Sequence, residues 1–202
     1  MARSCNFDRQ EKLVMAMELF WQQGFAQTSI ADLVTHLGIN RFSLYNSFGD
    51  KLSLYRESLQ FYLNHYSFPP LAKHLHQDAG ITEITAYLQR FIALQQEQKY
   101  GCFLQNALLE KCLDDECVQQ ESEKLFAVLS RGFEKALYRS QQQGELRNDV
   151  NCADVSAFLV LQLQGIRVLG KAGQYGLLDQ AQRVMLAYLD GLRLHEHRSV
   201  RK

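Results

Sequence analysis

Residues 30–51, IADLVTHLGINRFSLYNSFGDK, hold two short segments of helical periodicity on either side of a glycine, and this stretch constrains the fold most. The apolar residues of the first segment recur at the spacing of one helix face: Ile30, Leu33, Val34 and Leu37. Gly38 follows, where a left-handed glycine commonly ends a helix. Asn40 can cap a next helix that turns Leu44 and Phe48 inward. The pattern predicts two short helices joined by a tight turn.

Longer helical segments flank this pair of short helices. Residues 8–23 carry the apolar spacing of one buried helix face. Asp50 can cap a helix that runs to about residue 66, and we expect the Pro69–Pro70 pair to stop it. Further helices are predicted at about residues 82–97, 103–112, 115–143, 151–171 and 177–194.

The fold class follows from these segments. No long alternation of β-branched residues interrupts them, and the residues that favour helix, such as Leu, Ala, Gln and Glu, are common. We therefore predict an all-α chain. An N-terminal helix-turn-helix domain of three helices takes residues 1–50, a connecting helix takes residues 50–66, and a larger C-terminal helical domain takes residues 67–202.

The composition excludes several classes of protein. The 202 residues include 22 Lys and Arg against 22 Asp and Glu, so the net charge indicates no bulk attraction to nucleic acid. Five cysteines without a C-x-x-C pair argue against a disulfide scaffold or a structural zinc site. No apolar run reaches the roughly 20 residues of a membrane span, and the N-terminus lacks a signal-peptide core. These observations predict a cytoplasmic protein that does not bind a membrane.

The motifs of the common enzyme classes are missing from the sequence. It contains no G-x-S-x-G, P-loop or H-E-x-x-H pattern. The pairs His74-x-His76 and His195-x-His197 are too sparse to form a metal site. We therefore predict no enzyme activity, no cofactor and no bound metal.

The surface of the second short helix indicates DNA binding. Two short helices joined by a glycine-containing turn form a helix-turn-helix, whose second helix enters the major groove and reaches base edges with its N-terminal residues. No acidic residue occurs between Gly38 and Gly49, although a solvated helix usually carries Asp or Glu. The candidates for DNA contact are Asn40, Arg41, Phe42, Ser43, Tyr45 and Asn46.

Each candidate has a chemical reason. Arg can donate two hydrogen bonds to guanine, Asn can pair with adenine, and Ser and Tyr hydroxyls are common phosphate partners. Thr28 or Ser29, before the first short helix, can offer a hydroxyl and backbone N–H groups to a phosphate. Lys51, at the start of the following helix, is predicted to contact a second phosphate. The same pattern also fits a helical hairpin that only packs inside a protein.

The stretch TSIADLVTHLGINRFSLYNSFGDKLSLYRESL resembles the DNA-binding region of TetR-family transcriptional regulators, and the resemblance covers about residues 9–60. It includes the family's Gly-Val/Ile-Ser and Leu/Phe-Tyr-x-x-Phe-x-x-Lys patterns, and the upstream LFWQQGF is similar to Leu-Phe-x-x-x-Gly-Phe/Tyr. Asn40 replaces the more usual serine, and both residues can cap a helix. Phe42 stands where many members have glycine. Its ring is expected to touch a thymine methyl or a sugar, or to pack aside.

The resemblance implies a homodimer that reads a palindromic double-stranded DNA operator as a ligand-responsive repressor. It places the dimer interface on the last two long helices. The segment VSAFLVLQLQGIRVLGKAG is apolar on too much of its circumference for an ordinary surface helix. The candidates to face the partner are Leu161, Gly165, Val168 and Leu169, whereas Phe158 is expected in the core. Full burial of this segment within one subunit is the alternative.

The resemblance also implies an effector pocket among the middle helices, in the larger C-terminal domain. Its candidate residues are Tyr62, Tyr87, Phe91, Cys102, Phe103, Asn106, Phe126, Leu129, Phe133 and Gln162. Core packing is the competing interpretation for each of them, and the effector itself is unknown. Two alternatives to a ligand-responsive repressor are a redox or electrophile sensor acting through Cys102 and a DNA-binding module without a small-molecule effector.

Overall fold

A computed structural model describes residues 7–98, 100–111 and 113–194; Cys5, Cys112, His195 and His197 lie outside them. The described residues form ten α-helices, and their strand-like pairing is an isolated antiparallel bridge between Leu146 and Arg193. The helices are α1 (Arg9–Gln23), α2 (Ile30–Leu37), α3 (Arg41–Phe48), α4 (Lys51–Tyr62), α5 (Phe68–His74), α6 (Ile81–Glu97), α7 (Phe103–Lys111), α8 (Glu116–Gln142), α9 (Cys152–Lys171) and α10 (Tyr175–Gly191). The predicted all-α fold is confirmed.

Short polar side chains fix where the N-terminal helices begin. The Asp8 carboxylate accepts backbone N–H bonds in the first turn of α1, and Asn40 and Asp50 do the same for α3 and α4. Ser29 and Asp32 form a reciprocal capping box at the start of α2. Each of these bonds satisfies a first-turn N–H that has no partner inside its helix. The predicted starts are therefore confirmed by local hydrogen bonding.

The connecting helix does not stop at residue 66, which corrects the prediction. A π-helical turn, Leu63–Ser67, follows α4 directly, and the N–H of Phe68 donates to the Leu63 carbonyl. α5 then continues through the two prolines. Pro69 and Pro70 are the second and third residues of α5, so the helix accepts both prolines directly after the π-helical turn.

Helical packing divides the chain into two compact units. The first unit contains the described residues of Met1–Pro69 and of Tyr100–Leu125, and the second those of Pro70–Lys99 and of Phe126–Lys202. This division differs from a boundary after residue 66, because residues 100–125 pack with the N-terminal helices. The core of the first unit includes edge-to-face pairs of Tyr55 with Phe20 and with Phe103, at centroid distances of 5.1 and 5.5 Å.

The second unit is built around α9, which packs against α6 and α10. Leu159, Leu163 and Ile166 are buried there, and the Ser156 hydroxyl donates to the Ser130 carbonyl of α8 at 2.7 Å. By length and composition alone, α9 is apolar enough to cross a membrane, with a mean hydropathy of 1.4. The core helix of a helical bundle has the same composition, so this property is weak support for a membrane span.

Candidate nucleic-acid interface

The turn between α2 and α3 holds the two helices at a fixed angle through a shared apolar core. Gly38 ends α2 in the left-handed conformation, with φ of 63° and ψ of 30°, which a residue with a Cβ adopts only at a cost. Leu33 and Leu37 from α2 and Leu44 from α3 are fully buried. The predicted helix-turn-helix is thus present, with the opposite face of α3 left outside.

Four side chains project from the exposed face of α3: Arg41, Phe42, Tyr45 and Asn46. They recur at spacings of three and four residues, so they share one helix face. The Arg41 guanidinium lies over the Tyr45 ring, 5.6 Å from its centroid, and Nη2 donates to the Tyr45 hydroxyl at 3.4 Å. This face combines a cation, an amide, a phenol and a phenyl ring, and it carries no carboxylate.

Two of the predicted contact residues, Asn40 and Ser29, also cap helices. The Asn40 side-chain oxygen accepts the Ser43 N–H at 2.8 Å, which leaves the amide NH₂ of Asn40 to the surface. The Ser29 hydroxyl accepts the Asp32 N–H at 3.1 Å. Asp32 in turn accepts the Ser29 N–H, and these bonds lower the pKa of the Asp32 carboxyl group. A phosphate approaching the start of α2 therefore meets a capping carboxylate.

Thr28 and Lys51 both have contacts inside the protein, and for Thr28 these contradict the expected phosphate contact. Thr28 is completely buried, and its hydroxyl donates to the Gly24 carbonyl at 2.7 Å, so it does not offer that hydroxyl to a phosphate. Lys51 is half-buried, with Nζ 4.1 Å from the centroid of the Phe25 ring. Burial lowers the pKa of Lys51, although the carboxylate of Glu110 opposes that change.

Arg9 contacts the C-terminal end of α3, a role that is not predicted from the sequence. Its Nη1 and Nη2 donate to the two oxygens of Glu57 on α4 at 2.5 and 2.7 Å. Its Nε donates to the Ser47 carbonyl at 3.0 Å, and the guanidinium lies 4.6 Å from the Phe48 ring centroid. A bidentate pair of this kind fixes direction as well as distance, so Arg9 ties α1, α3 and α4 together.

Helix α7 supports the turn between α1 and α2. The Glu110 carboxylate accepts the N–H groups of Phe25 at 2.8 Å and Ala26 at 2.5 Å. On α1, the Trp21 indole N–H donates to the Gly101 carbonyl at 2.9 Å. These bonds join residues 80 or more positions apart, so local sequence patterns do not reveal them.

A second link joins α4 to the start of α8. The Arg56 Nε donates to both carboxylate oxygens of Asp115, at 3.1 and 3.2 Å. Asp115 is buried and also accepts the N–H of Cys117 at 3.0 Å, so it caps α8. Together with the α7 bonds, this link attaches residues 100–125 to the helices that hold α3.

Known proteins resemble this chain in sequence. Residues 13–57, which run from α1 into α4, match the model of the bacterial regulatory proteins of the tetR family. The uncharacterized HTH-type transcriptional regulator YezE of Bacillus subtilis (strain 168) is 31% identical over 160 residues, which cover 78% of this chain and 81% of YezE. The chain belongs to the tetR family of bacterial regulatory proteins.

Two further proteins resemble this tetR-family chain, one in sequence and one in structure. The HTH-type transcriptional repressor ComR of Escherichia coli (strain K12) is 27% identical over 170 residues, covering 83% of this chain and 81% of ComR. A cysteine mutant of the TetR-family regulator CifR, solved with 26-bp double-stranded operator DNA, is 25% identical with a TM-score of 0.74. That match covers 90% of this chain and 98% of the CifR chain.

The predicted effector residues of this tetR-family chain divide between the two units. Tyr62, Cys102, Phe103 and Asn106 lie in the first unit, and Tyr87, Phe91, Phe126, Leu129, Phe133 and Gln162 lie in the second. Tyr62 packs edge to face on Phe103 at 5.7 Å. Tyr87 contacts the rings of Phe91 and Phe133 at 5.8 and 5.9 Å. Many of these aromatic groups therefore contribute to packing, and a ligand role stays a prediction for each of them.

The predicted dimer residues lie on an exposed apolar face of the second unit. Leu161, Gly165 and Val168 are exposed on α9, whereas Leu169 is half-buried. Phe158, expected in the core, is 37% exposed and packs on Tyr188 of α10 at 5.2 Å. We call the exposed set the apolar stripe: Phe158, Leu161, Val168, Leu177, Val184 and Tyr188.

The thiols and metal-binding side chains form no recognisable site in the part of the chain that the structure describes. Cys102 is buried, and Cys117 and Cys152 are half-buried free thiols. Burial raises the pKa of Cys117 and of Cys152, which disfavours the reactive thiolate at both. No group of three or more His, Cys, Asp or Glu residues there could hold a metal ion.

Proposed function

We propose that this tetR-family protein is a ligand-responsive repressor that binds a palindromic operator as a homodimer. The observation that carries the proposal is the exposed face of α3, which presents Arg41, Phe42, Tyr45 and Asn46 without a carboxylate. A solvated face with no functional role would not need to exclude negative charge. A face that enters the major groove must do so, because phosphates line both sides of the groove.

Base reading and backbone contact fall to different side chains in this proposal. Arg41 suits guanine through its two parallel N–H groups, and Asn46 suits adenine through its amide. We assign a phosphate contact to Lys51, at the start of α4. Ser29 is the weaker candidate, because its hydroxyl and its N–H are bonded to Asp32 in the capping box. Arg9 acts indirectly by fixing the direction of α3 through Ser47 and Glu57.

The apolar stripe supports assembly into a homodimer. Leu161 and Val168 on α9, and Leu177 and Val184 on α10, recur seven residues apart and leave large apolar surfaces in water. If α9 and α10 packed against the same helices of a second copy of the chain, this apolar surface would be removed from water. A two-fold dimer also matches a palindromic operator, since each α3 then reads one half-site.

The second unit contains a buried cation, Arg167, to which an anionic small ligand could bind. Arg167 is 6% exposed, its guanidinium lies 5.3 Å from the Phe91 ring centroid, and Nη1 donates to the Gln164 side chain at 3.0 Å. Its Nε has no hydrogen-bond partner, and the ion pairs formed by the described residues do not include Arg167. A buried unpaired cation is costly, so we favour an effector that carries an anionic group beside an apolar body.

The same observations weigh against the rival functions. A sensor that acts through Cys102 needs an accessible thiol, and Cys102 is buried. A sequence-independent DNA-binding module needs a strong basic field, whereas the chain has no net charge. We extend the proposal to a protein without catalytic activity that acts in the cytoplasm, where operator DNA is found.

Selection of binding sites from genomic DNA tests the function. Purified protein should enrich sites with a palindrome, and Arg41→Ala should weaken binding by about 1–3 kcal/mol with relaxed preference at one base position per half-site. Enrichment without any shared sequence would refute an operator-binding regulator. A uniform loss for Arg41→Ala over all sequences would instead make Arg41 a phosphate contact.

Sedimentation velocity tests the assembly. Leu161→Glu and Val184→Glu place a charge in the apolar stripe and should convert the dimer to a monomer. Leu109→Glu is the matched control, because Leu109 is also an exposed apolar residue but lies on α7, outside the apolar stripe. A Leu161→Glu variant that sediments as wild type would exclude this face from the interface.

A thermal-shift comparison tests the effector class. Aromatic carboxylic acids should stabilise the wild-type protein more than their neutral amides do, and Arg167→Met should abolish that difference. Equal stabilisation by acids and amides would contradict charge recognition by Arg167.

A further inference from the structure

Phe42 is the apolar exception on the exposed face of α3. Its side chain is 75% exposed, and no other phenylalanine of the described residues exceeds 37% exposure. The neighbouring side chains on this face, Arg41, Tyr45 and Asn46, all carry hydrogen-bonding groups. Burial of an exposed phenyl ring against a partner lowers the free energy of the complex.

The place of Phe42 in α3 limits what that partner can be. It is the second residue of the helix, after the cap Asn40 and after Arg41. Helical side chains lean toward the N-terminus of their helix, so the ring is directed to the end of α3 that reaches base edges in a helix-turn-helix. Arg41 is drawn along the helix toward Tyr45, which leaves the ring of Phe42 uncovered.

The chemistry of the ring then selects one group of the DNA. A phenyl side chain has no hydrogen-bond donor or acceptor, so it cannot read the nitrogen and oxygen atoms of a base edge. The apolar group in the major groove is the C5 methyl of thymine. We infer that Phe42 reads a thymine methyl in each half-site, an inference that rests on the proposed operator binding.

Deoxyuridine provides the test, because it differs from thymidine only by lacking this methyl group. Each thymine of one half-site of the selected operator is replaced in turn, and the dissociation constant is measured by fluorescence anisotropy at one salt concentration. For wild-type protein, we expect one position at which the replacement weakens binding about four-fold, the effect of exposing one buried methyl group. Replacing its symmetry mate as well should weaken binding about 15-fold.

Phe42→Ala separates the methyl contact from other roles of the ring. Because Phe42 is exposed, this variant should fold, and circular dichroism checks that it does. It should bind the thymine and deoxyuridine operators with equal affinity, whereas the control Leu109→Ala, which removes an exposed apolar side chain on α7, should keep the wild-type sensitivity. A wild-type protein insensitive to deoxyuridine at every position, or a Phe42→Ala variant that keeps the sensitivity, would overturn the inference in favour of a sugar contact. Equal binding of operator and scrambled DNA by wild type would instead refute the proposed function, and the inference with it.

Discussion

Glu110 gives the sharpest test of how the recognition helix is supported. Its carboxylate accepts the N–H groups of Phe25 and Ala26, at 2.8 and 2.5 Å, in the turn that precedes α2. Glu110→Ala removes both acceptors, and Glu110→Gln keeps one oxygen but removes the charge. Both changes leave the local sequence of the turn intact, so any change in the turn must come from α7.

The expected magnitude follows from the two hydrogen bonds. A hydrogen bond to a charged group contributes about 1.5–3 kcal/mol, but water replaces the partner of an exposed donor. The N–H of Ala26 is in an exposed bond, whereas the bond of Phe25 is partly buried. We therefore expect the local stability of the turn to fall by about 2 kcal/mol in Glu110→Ala and by about 1 kcal/mol in Glu110→Gln.

Amide hydrogen exchange measures this loss at the residues concerned. A loss of about 2 kcal/mol corresponds to an exchange rate about 30 times faster for the Phe25 amide in Glu110→Ala. Glu18→Ala is the matched control, because Glu18 is an exposed carboxylate on α1 of the same unit. Unchanged exchange at Phe25 and Ala26 in Glu110→Ala would show that α7 does not support the turn.

Three further predictions concern residues near the recognition helix. The logarithm of operator affinity falls linearly with the logarithm of salt concentration, and Lys51→Ala should make this slope less steep by about 0.9. An unchanged slope would exclude a phosphate contact. Thr28→Val should lower the free energy of unfolding by about 1 kcal/mol in urea titrations and leave that salt slope unchanged, since the hydroxyl serves Gly24. The bonds from Ser53 lower the pKa of Asp50 below its ordinary value of 3.8, so its stabilising effect is complete above that pH and is lost as the pH falls through the lowered pKa. Asp50→Asn, which can still cap α4, should therefore lose less stability than wild type in acid, as measured by melting temperature between pH 7 and pH 2.

The starts of the N-terminal helices could be predicted because their causes are local. A cap such as Asn40 bonds to an N–H three residues away, so its signal lies within one short window of sequence. The support of α3 has no such window. Arg9 and Glu57 are 48 residues apart, and Glu110 and Phe25 are 85 apart, so neither pair differs in sequence from ordinary surface charges.

Two errors have physical causes that the sequence leaves open. The Pro69–Pro70 pair is expected from sequence to stop a helix, but the helix continues because a π-helical turn directly before the pair changes the hydrogen-bond spacing there. Phe158 was expected in the core because α9 is apolar around most of its circumference, and such a helix gives no clear phase to its buried face.

The links of residues 100–125 constrain how any signal can reach the recognition helix. α7 contacts the turn before α2 through Glu110, and the start of α8 contacts α4 through Asp115 and Arg56. An effector that displaced α7 would have to break the Glu110 bonds or carry the α1–α2 turn with it. Breaking them would loosen α2, which braces α3, whereas carrying the turn would redirect α3. These outcomes differ in hydrogen exchange, since only the first exposes the amides of Phe25 and Ala26.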